Sequence, residues 1–339
     1  MRLIKTEDAV GHVLCHDMTQ IIKDQYKDAR FRKGHVVTEE DIPVLLSMGK
    51  EHLYVWEMTP GMVHENDAAE RLLALCGQEN MIRSGVKEGK IELKAACDGV
   101  FLVDSARLVA VNSQDEVMIA TRKGGMAVRE GDKLAGMRVI PLIIEEEKLR
   151  KAEQAAGDKP LLSLKPYVRK TACIVATCGE VKKGLIKDTF TPVVIDKLKT
   201  YGIETLEVVY SGDGVENVRD AVLAMREKKP DMILCTGGMS VDPDDNTPGG
   251  IKAAGANIIA YGAPVLPGAM FLLGYFDDGM PVMGLPGCVM YAGATVFDLV
   301  LPKIAADVPV TRADLAALGE GGLCLGCKPC YYPICPFGK

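Results

Sequence analysis

The segment CTGGMSVDPDDNTPGG gathers the residue types that a phosphate site needs. Thr236, Gly237 and Gly238 let a backbone come close to an anion, and Asp242, Asp244 and Asp245 then place three carboxylates within four positions. Carboxylates repel a phosphate unless a divalent cation lies between them, and Mg2+ is commonly held by one or two carboxylates plus phosphate oxygens. The competing reading is an acidic turn capping a helix that opens at Thr247-Pro248, where Asp and Pro are favoured on their own account. Two further Gly-containing loops, ATCGEVKKGLIKDT and MGLPGCVMYAG, also follow apolar runs. In the first of them Glu180 can reach into a site, and Asp188 can do the same or cap its own helix. Lys182, Lys183 and Lys187 read most simply as solvated. Three such loops together favour phosphate and Mg2+ over the capped turn. Cys178 has no histidine beyond residue 64 to serve it, which argues against Cys–His or Ser–His–Asp catalysis.

A second constellation lies in GGLCLGCKPCYYPICPFGK, where Cys324, Cys327, Cys330 and Cys335 form C-x2-C-x2-C-x4-C-P. The spacing is close to the bacterial ferredoxin run C-x2-C-x2-C-x3-C-P, although no second cysteine set is present. Four thiolates also suit a structural Zn2+, so an Fe–S cluster such as [4Fe–4S] and zinc stand as alternatives, with a bare reduced tail as the third. The tail after Leu318 has few large apolar side chains. Metal is therefore expected to order it, while residues 170–305 fold without it. His12, Cys15 and His16 read as part of a half-buried strand, and His64-Glu65-Asn66-Asp67 as a helix cap with acid at the positive end.

These residues need elements to position them. From Thr171 onward, apolar strands (ACIVAT, TLEVV, DMILCT, NIIAY, PVMGL) alternate with helical segments at 188–200, VENVRDAVLAM, TPGGIKAAG and CVMYAGATVFDLVLPKI. Apolar strands alternating with helices predict a parallel sheet covered on both faces, with ligands beyond the C-terminal strand ends. Before it, EEDIPVLLSMG and NDAAERLLALCG have helical spacing, and HLYVWE reads as a strand. IELKAAC, GVFLV, RLVAV, EVMIAT and GMRVIPLII read as a small antiparallel sheet or barrel. EEEKLRKAEQAAGDKP reads as a helical linker. The expected organisation is an α+β region over 1–60, a β-rich domain over 61–150, a linker over 151–168, an α/β domain over 169–307 and a Cys-rich tail over 308–339.

With 339 residues, Lys+Arg 40 against Asp+Glu 46 and 5% aromatics, the chain has no basic face for nucleic acid or an anionic membrane and few rings on which bases could stack. The charged start MRLIKTEDAVGH reads as no secretory signal, and the uncharged stretch Ala253–Phe276 holds four Gly and two Pro, unlike a membrane span. A cytoplasmic location is expected.

The strand-TxGE, TGGxSxxxDD and GLPG loops, in this order, resemble the molybdopterin-binding domain. That domain is found in molybdopterin adenylyltransferases, gephyrin-like molybdopterin molybdotransferases and CinA proteins. The resemblance spans about residues 170–305, and residues 1–57 are more weakly similar to the start of the molybdotransferases. It implies a three-layer α/β/α domain with a mostly parallel sheet, preceded by a smaller β-rich α+β region. It implies action on molybdopterin phosphate or adenylyl-molybdopterin with Mg2+, as in molybdenum or adenylyl transfer by a molybdotransferase-like enzyme. Asp188, Glu180 and Asp245 are the implied catalytic groups, and Asp242, Asp244 and Asp245 the implied Mg2+ ligands. The ligand-binding positions implied are Thr177, Gly179, Thr236, Gly237, Gly238, Ser240, Thr247, Pro267, Gly268, Gly284, Pro286 and Gly287. Several positions depart from the molybdotransferase pattern. Cys178-Gly179 replaces a Gly-polar pair, Phe190 stands for Asn, and Cys288-Val289 stands for Asn-Pro. The Pro267-Gly268 segment lacks both lysines, Asp244-Asp245-Asn246-Thr247 is closer to the DDxT of the adenylyltransferase and CinA branches, and no C-terminal barrel is expected after Ile304. A non-catalytic molybdopterin carrier or sensor with a metal-binding tail is the alternative, and CinA-like nucleotide pyrophosphate hydrolysis a further one. The partners implied are a pterin phosphate, a molybdoenzyme or another cofactor-synthesis protein, and further copies of the chain in a homo-oligomer.

Overall fold

The computed structural model describes residues 2–22, 26–55, 60–177, 179, 185, 187–240 and 245–339. The chain divides into two compact units: residues 1–96, 103–124 and 131–163 form one, and residues 97–102, 125–130 and 164–339 the other.

In the first unit, β1 (Arg2–Lys5), the hairpin of β2 (Met18–Ile22) with β3 (Tyr26–Phe31), helix α1 (Asp41–Ser47) and β4 (His52–Val55) surround Leu14, Met18, Leu45 and Leu53. β1 pairs antiparallel with β4. Then follow β5 (Met62–His64), α2 (Glu65–Leu75), β6 (Met81–Arg83), β7 (Ile91–Ala95), β8 (Gly99–Val103), α3 (Ser105–Asn112), β9 (Val117–Thr121), β10 (Met126–Val128), β11 (Lys133–Val139), β12 (Ile143–Glu145) and α4 (Glu146–Ala156), of which β8 and β10 pair with each other as part of the second unit. β6, β7, β11 and β9 make a four-stranded antiparallel sheet, and β12 pairs with β5. The expected cap at the start of α2 is present: the His64 side chain accepts from Asn66 N, and Glu65 and Asp67 occupy the first turn.

Two expectations are corrected here. RLVAV is a helix, α3, not a strand. Its β-branched residues suggest a strand, but Asp104 caps the backbone N–H of Arg107. The Arg107 guanidinium also reaches Asp104 and the carbonyls of Ala156, Lys159 and Pro160, which ties the helix down. Residues 145–160, read as a helical linker, are helical over Glu146–Ala156 (α4), but Leu149, Ala152 and Ala156 are buried, so the helix is packed rather than a free linker. Its charged residues are the solvent face of a packed amphipathic helix.

The second unit is built on a six-stranded sheet. After β13 (Leu162–Pro166) come β14 (Thr171–Thr177), α5 (Thr191–Lys199), β15 (Glu204–Ser211), α6 (Val215–Arg226), β16 (Met232–Thr236), α7 (Thr247–Ala253), β17 (Asn257–Tyr261), β18 (Leu272–Tyr275), β19 (Pro281–Leu285), α8 (Val296–Ala305) and α9 (Arg312–Ala317). The order is β15-β14-β16-β19-β18-β17. β15, β14, β16 and β19 run parallel, and β18 is antiparallel to both its neighbours.

Strand residues alternate between two cores, as a pleated strand requires. Ala172, Ile174, Met232, Leu234, Met283 and Leu285 face a core closed by Val194 and Leu198 of α5 and Phe297, Leu301 and Ile304 of α8. Cys173, Val175, Ile233, Cys235 and Val282 face the other, closed by Val218, Val222 and Met225 of α6 and Ile251 of α7. The domain is three layers, α/β/α, with a mostly parallel sheet.

The Cys-rich tail was expected to stand outside this core, and it does not. Phe337 is buried in the α5/α8 core, and Tyr332, Cys324 and Cys335 pack against it. The Tyr332 hydroxyl donates to Asp298 O at 2.9 Å. Leu266 N donates to Gly322 O and Cys324 N to Leu266 O, each at 2.8 Å. Within 308–339 Val310, Leu315 and Phe337 are all core residues, and beyond Leu318, where apolar residues are few, composition does not reveal that Phe337 is one.

Candidate phosphate-binding site

Strand register brings the loops of interest together. Thr177 lies beside Ser211, Ala176 beside Thr236, and Thr236 beside Leu285. Gly284 is opposite Leu272, which is opposite Tyr261. The loops leaving Thr177, Ser211, Thr236, Tyr261 and Leu285 therefore share one sheet edge, the carboxyl end of its parallel strands.

Between the first and third of these loops lies a buried hydroxyl knot. The Thr177 hydroxyl donates to Thr236 O at 2.9 Å, the Thr247 hydroxyl donates to Gly237 O at 2.9 Å, and the two hydroxyl oxygens are 2.9 Å apart. Two hydroxyl protons serve three contacts, so the pair is held by shared rather than independent bonds. Thr247 N also donates to Gly238 O at 3.1 Å. Gly237 and Gly238 have φ of 81° and 58°, and a Cβ on Gly237 would fall 2.0 Å from Thr177 O. Only glycine fits there. A Cβ on Gly284, on β19, would press on the end of the Met239 side chain and lie 3.2 Å from Leu272 Cβ, a clash that a shift of the Met239 side chain relieves. Gly287 is different, with nothing within 4 Å of its would-be Cβ, so its space is open.

The acidic residues divide. Asp245 accepts from Ser240 N at 2.8 Å. Burial and the nearby Asp245 charge raise the Tyr261 phenol, whose hydroxyl donates to Met239 O. Asp188 accepts from Phe190 N (2.9 Å) and Thr191 N (3.0 Å) at the start of α5, and its other oxygen accepts from Tyr210 OH at 3.0 Å. Burial alone would raise the Asp188 carboxyl, but these bonds, those from Thr191 foremost, hold it below the usual Asp value. Asp242, Asp244 and Glu180 lie outside the described residues, as does Cys178.

The GLPG loop opens into a short 3-10 turn, Gly287–Met290, preceded by Pro286. The Thr189 hydroxyl reaches Met290 Sδ at 3.1 Å, linking this turn to the loop before α5. Pro267 and Gly268 pack on the first turn of α8: Val296 N donates to Pro267 O, and a Cβ on Gly268 would lie 3.0 Å from that same nitrogen. Cys324, Cys327, Cys330 and Cys335 line one cavity of about 350 Å3, together with Pro267 and the segment 291–294. Among the described residues, no three His, Cys, Asp or Glu side chains converge to hold a single ion.

The sequence reading passed over the loop Ser211-Gly212-Asp213-Gly214. It leaves β15 at the same edge, and Asp213 Oδ2 lies 2.6 Å from where a Gly179 Cβ would be. Its signal was available, since SGDG is another glycine-rich strand-to-helix loop. Cys235, by contrast, is ruled out as a reactive thiol: burial pushes it up to about 12.

Residues 173–306 match a family model described as a probable molybdopterin binding domain, and residues 3–57 match one described as a domain of unknown function, DUF8806. No curated protein matches the chain. Among solved structures, the chain is similar to the molybdopterin biosynthesis enzyme MoaB from Thermus thermophilus (15% identity, 43% of this chain, 98% of that one, TM-score 0.36). It is also similar to the protein CinA from Thermoplasma acidophilum (17%, 40% and 98%, TM-score 0.34). The molybdopterin biosynthesis moea protein from Pyrococcus horikosii aligns over more of it (15%, 94% and 77%, TM-score 0.34).

Proposed function

We propose that residues 173–306 bind the phosphate of a molybdopterin-type pterin, and that the chain works in molybdenum-cofactor synthesis on molybdopterin or its adenylylated form. The observation carrying this reading is the knot of Thr177, Thr236, Gly237 and Thr247, which fixes a tight glycine turn at the carboxyl edge of a parallel sheet. The family match over residues 173–306 supports the choice of ligand.

In this reading the backbone at Gly237, Gly238 and Gly287 holds phosphate oxygens, and the open space over Gly287 admits them. Mg2+ held by Asp245 with Asp242 and Asp244 would supply the positive charge that lets carboxylates and phosphate share one site. The Ser240 N–H steadies Asp245 for that task. Asp188 fixes the start of α5 beside the site, and Glu180 orients a water or a further ligand. The test is a titration of the full chain with molybdopterin, followed by pterin fluorescence, with and without Mg2+. Asp245→Ala is expected to lose tenfold or more of the Mg2+-dependent affinity, in keeping with about 1.5–3 kcal/mol for a charged contact, while melting is unchanged. Equal affinity of wild type and variant, with and without Mg2+, would refute the metal role.

A carrier or sensor role is the second reading. It is favoured by the lysine-free Pro267-Gly268 segment, whose Pro267 borders a cavity lined by four cysteines. Supplying molybdate and Mg2+ to the loaded protein separates the two: a transferase releases a changed pterin, whereas a carrier retains it unchanged.

A further inference from the structure

We propose that the cavity formed by the tail seats an Fe–S cluster of the four-iron type, ligated by Cys324, Cys327, Cys330 and Cys335. All four cysteines line the same cavity, whose volume is about 350 Å3. They are free thiols, with Cys327 and Cys330 exposed and Cys324 and Cys335 half-buried.

The spacing of the cysteines favours a cluster over a single ion. Zinc needs its four sulfurs about 2.3 Å from one point, so that the thiols touch one another around it. Here four thiols border one cavity of about 350 Å3. A polynuclear core places its thiolates at separate corners of a filled volume, and the C-x2-C-x2-C spacing is one that cluster proteins use.

The surroundings are built for it. Both ends of the cysteine run are anchored independently of any metal: Cys324 by its bond to Leu266 O, and the far end by Phe337 in the core and by the Tyr332 hydroxyl on Asp298 O. A Cβ on Gly293 would fall 2.8 Å from Cys330 Sγ, so glycine at this position brings loop backbone against a ligand sulfur. Backbone groups that close are among the levers that tune a cluster. Lys328, which also lines the cavity, places a cation beside the net negative charge of a four-thiolate cluster.

The proposal does not depend on pterin binding, and its test uses none. The full chain, purified without oxygen, is incubated with ferric iron, sulfide and dithiothreitol, whose thiols supply the two electrons that bring four ferric ions to the two-ferric, two-ferrous state, and its iron, acid-labile sulfide and visible absorption are measured. About four irons and four sulfides per chain are expected, with broad absorption bleached by dithionite. Cys327→Ser and Cys330→Ser should each lose most of the iron while keeping the wild-type far-ultraviolet dichroism and melting midpoint, because both side chains are exposed. Cys97→Ser, which is outside the cavity, should keep it all. The proposal falls if the chain takes up no iron, if one zinc per chain resists displacement by iron and sulfide, or if both serine variants at 327 and 330 keep wild-type iron content.

Discussion

At the scale of single residues, the site rests on hydroxyls more than on charges. Thr177→Val keeps the shape of the side chain but removes the bond to Thr236 O and the hydroxyl contact with Thr247, which keeps only its bond to Gly237 O. It should cost about 1–3 kcal/mol in urea unfolding and weaken phosphate binding as the Gly237 turn loosens. Asp231 sits at the opposite end of the strands and tests electrostatics without touching the site. Burial would raise its carboxyl, but donations from Lys170 N and from Thr171 hold it below the ordinary Asp value. A carboxyl depressed in the folded state stabilises above its unfolded pKa, about 3.9, and that contribution fades as pH falls through the folded value. Asp231→Asn should therefore be less stable than wild type by roughly 1 kcal/mol at neutral pH, allowing for solvent screening. The gap should shrink in acid, as thermal melts at pH 7 and pH 3 would register. The sequence left Asp188 open between helix cap and site, because Asp is favoured in both places. The bonds to Phe190, Thr191 and Tyr210 show the capping role, which depends on where Tyr210 falls across the sheet.

At the scale of elements, the central parallel strands of the second unit were legible because each is buried on both sides, whereas β18 was not read as a strand. ACIVAT, DMILCT and PVMGL have no polar face to blur their pattern. RLVAV carries a similar apolar run, but only Val111 of α3 is fully buried, and the cap at Asp104 decides the matter. A cap is a local hydrogen bond of about 1 kcal/mol, easily outvoted in a reading based on β-branched residues. The docking of the tail was not legible at all, since it depends on one ring finding a space between α5 and α8. Phe337→Ala should destabilise the second unit by about 3–5 kcal/mol. Calorimetry should register this even with no metal present, and unchanged melting would show that the ring is not part of the core.

At the scale of the whole molecule, the sheet of the second unit joins two kinds of pairing. β14 finds β16 only after the chain has passed through α5, β15 and α6, and β16 finds β19 only after α7, β17 and β18. β17, β18 and β19 instead meet their neighbours across single loops. Closing a long loop must precede the contacts that reward it, so non-local parallel pairings form slowly. The two halves of one sheet should then acquire protection at different times during refolding. Pulsed hydrogen exchange should find the amides of β18 shielded first, with those of β14 and β16 following. The hydroxyl knot, whose members come from β14, β16 and α7, would be among the last features to assemble, so an early intermediate would have a sheet and no site.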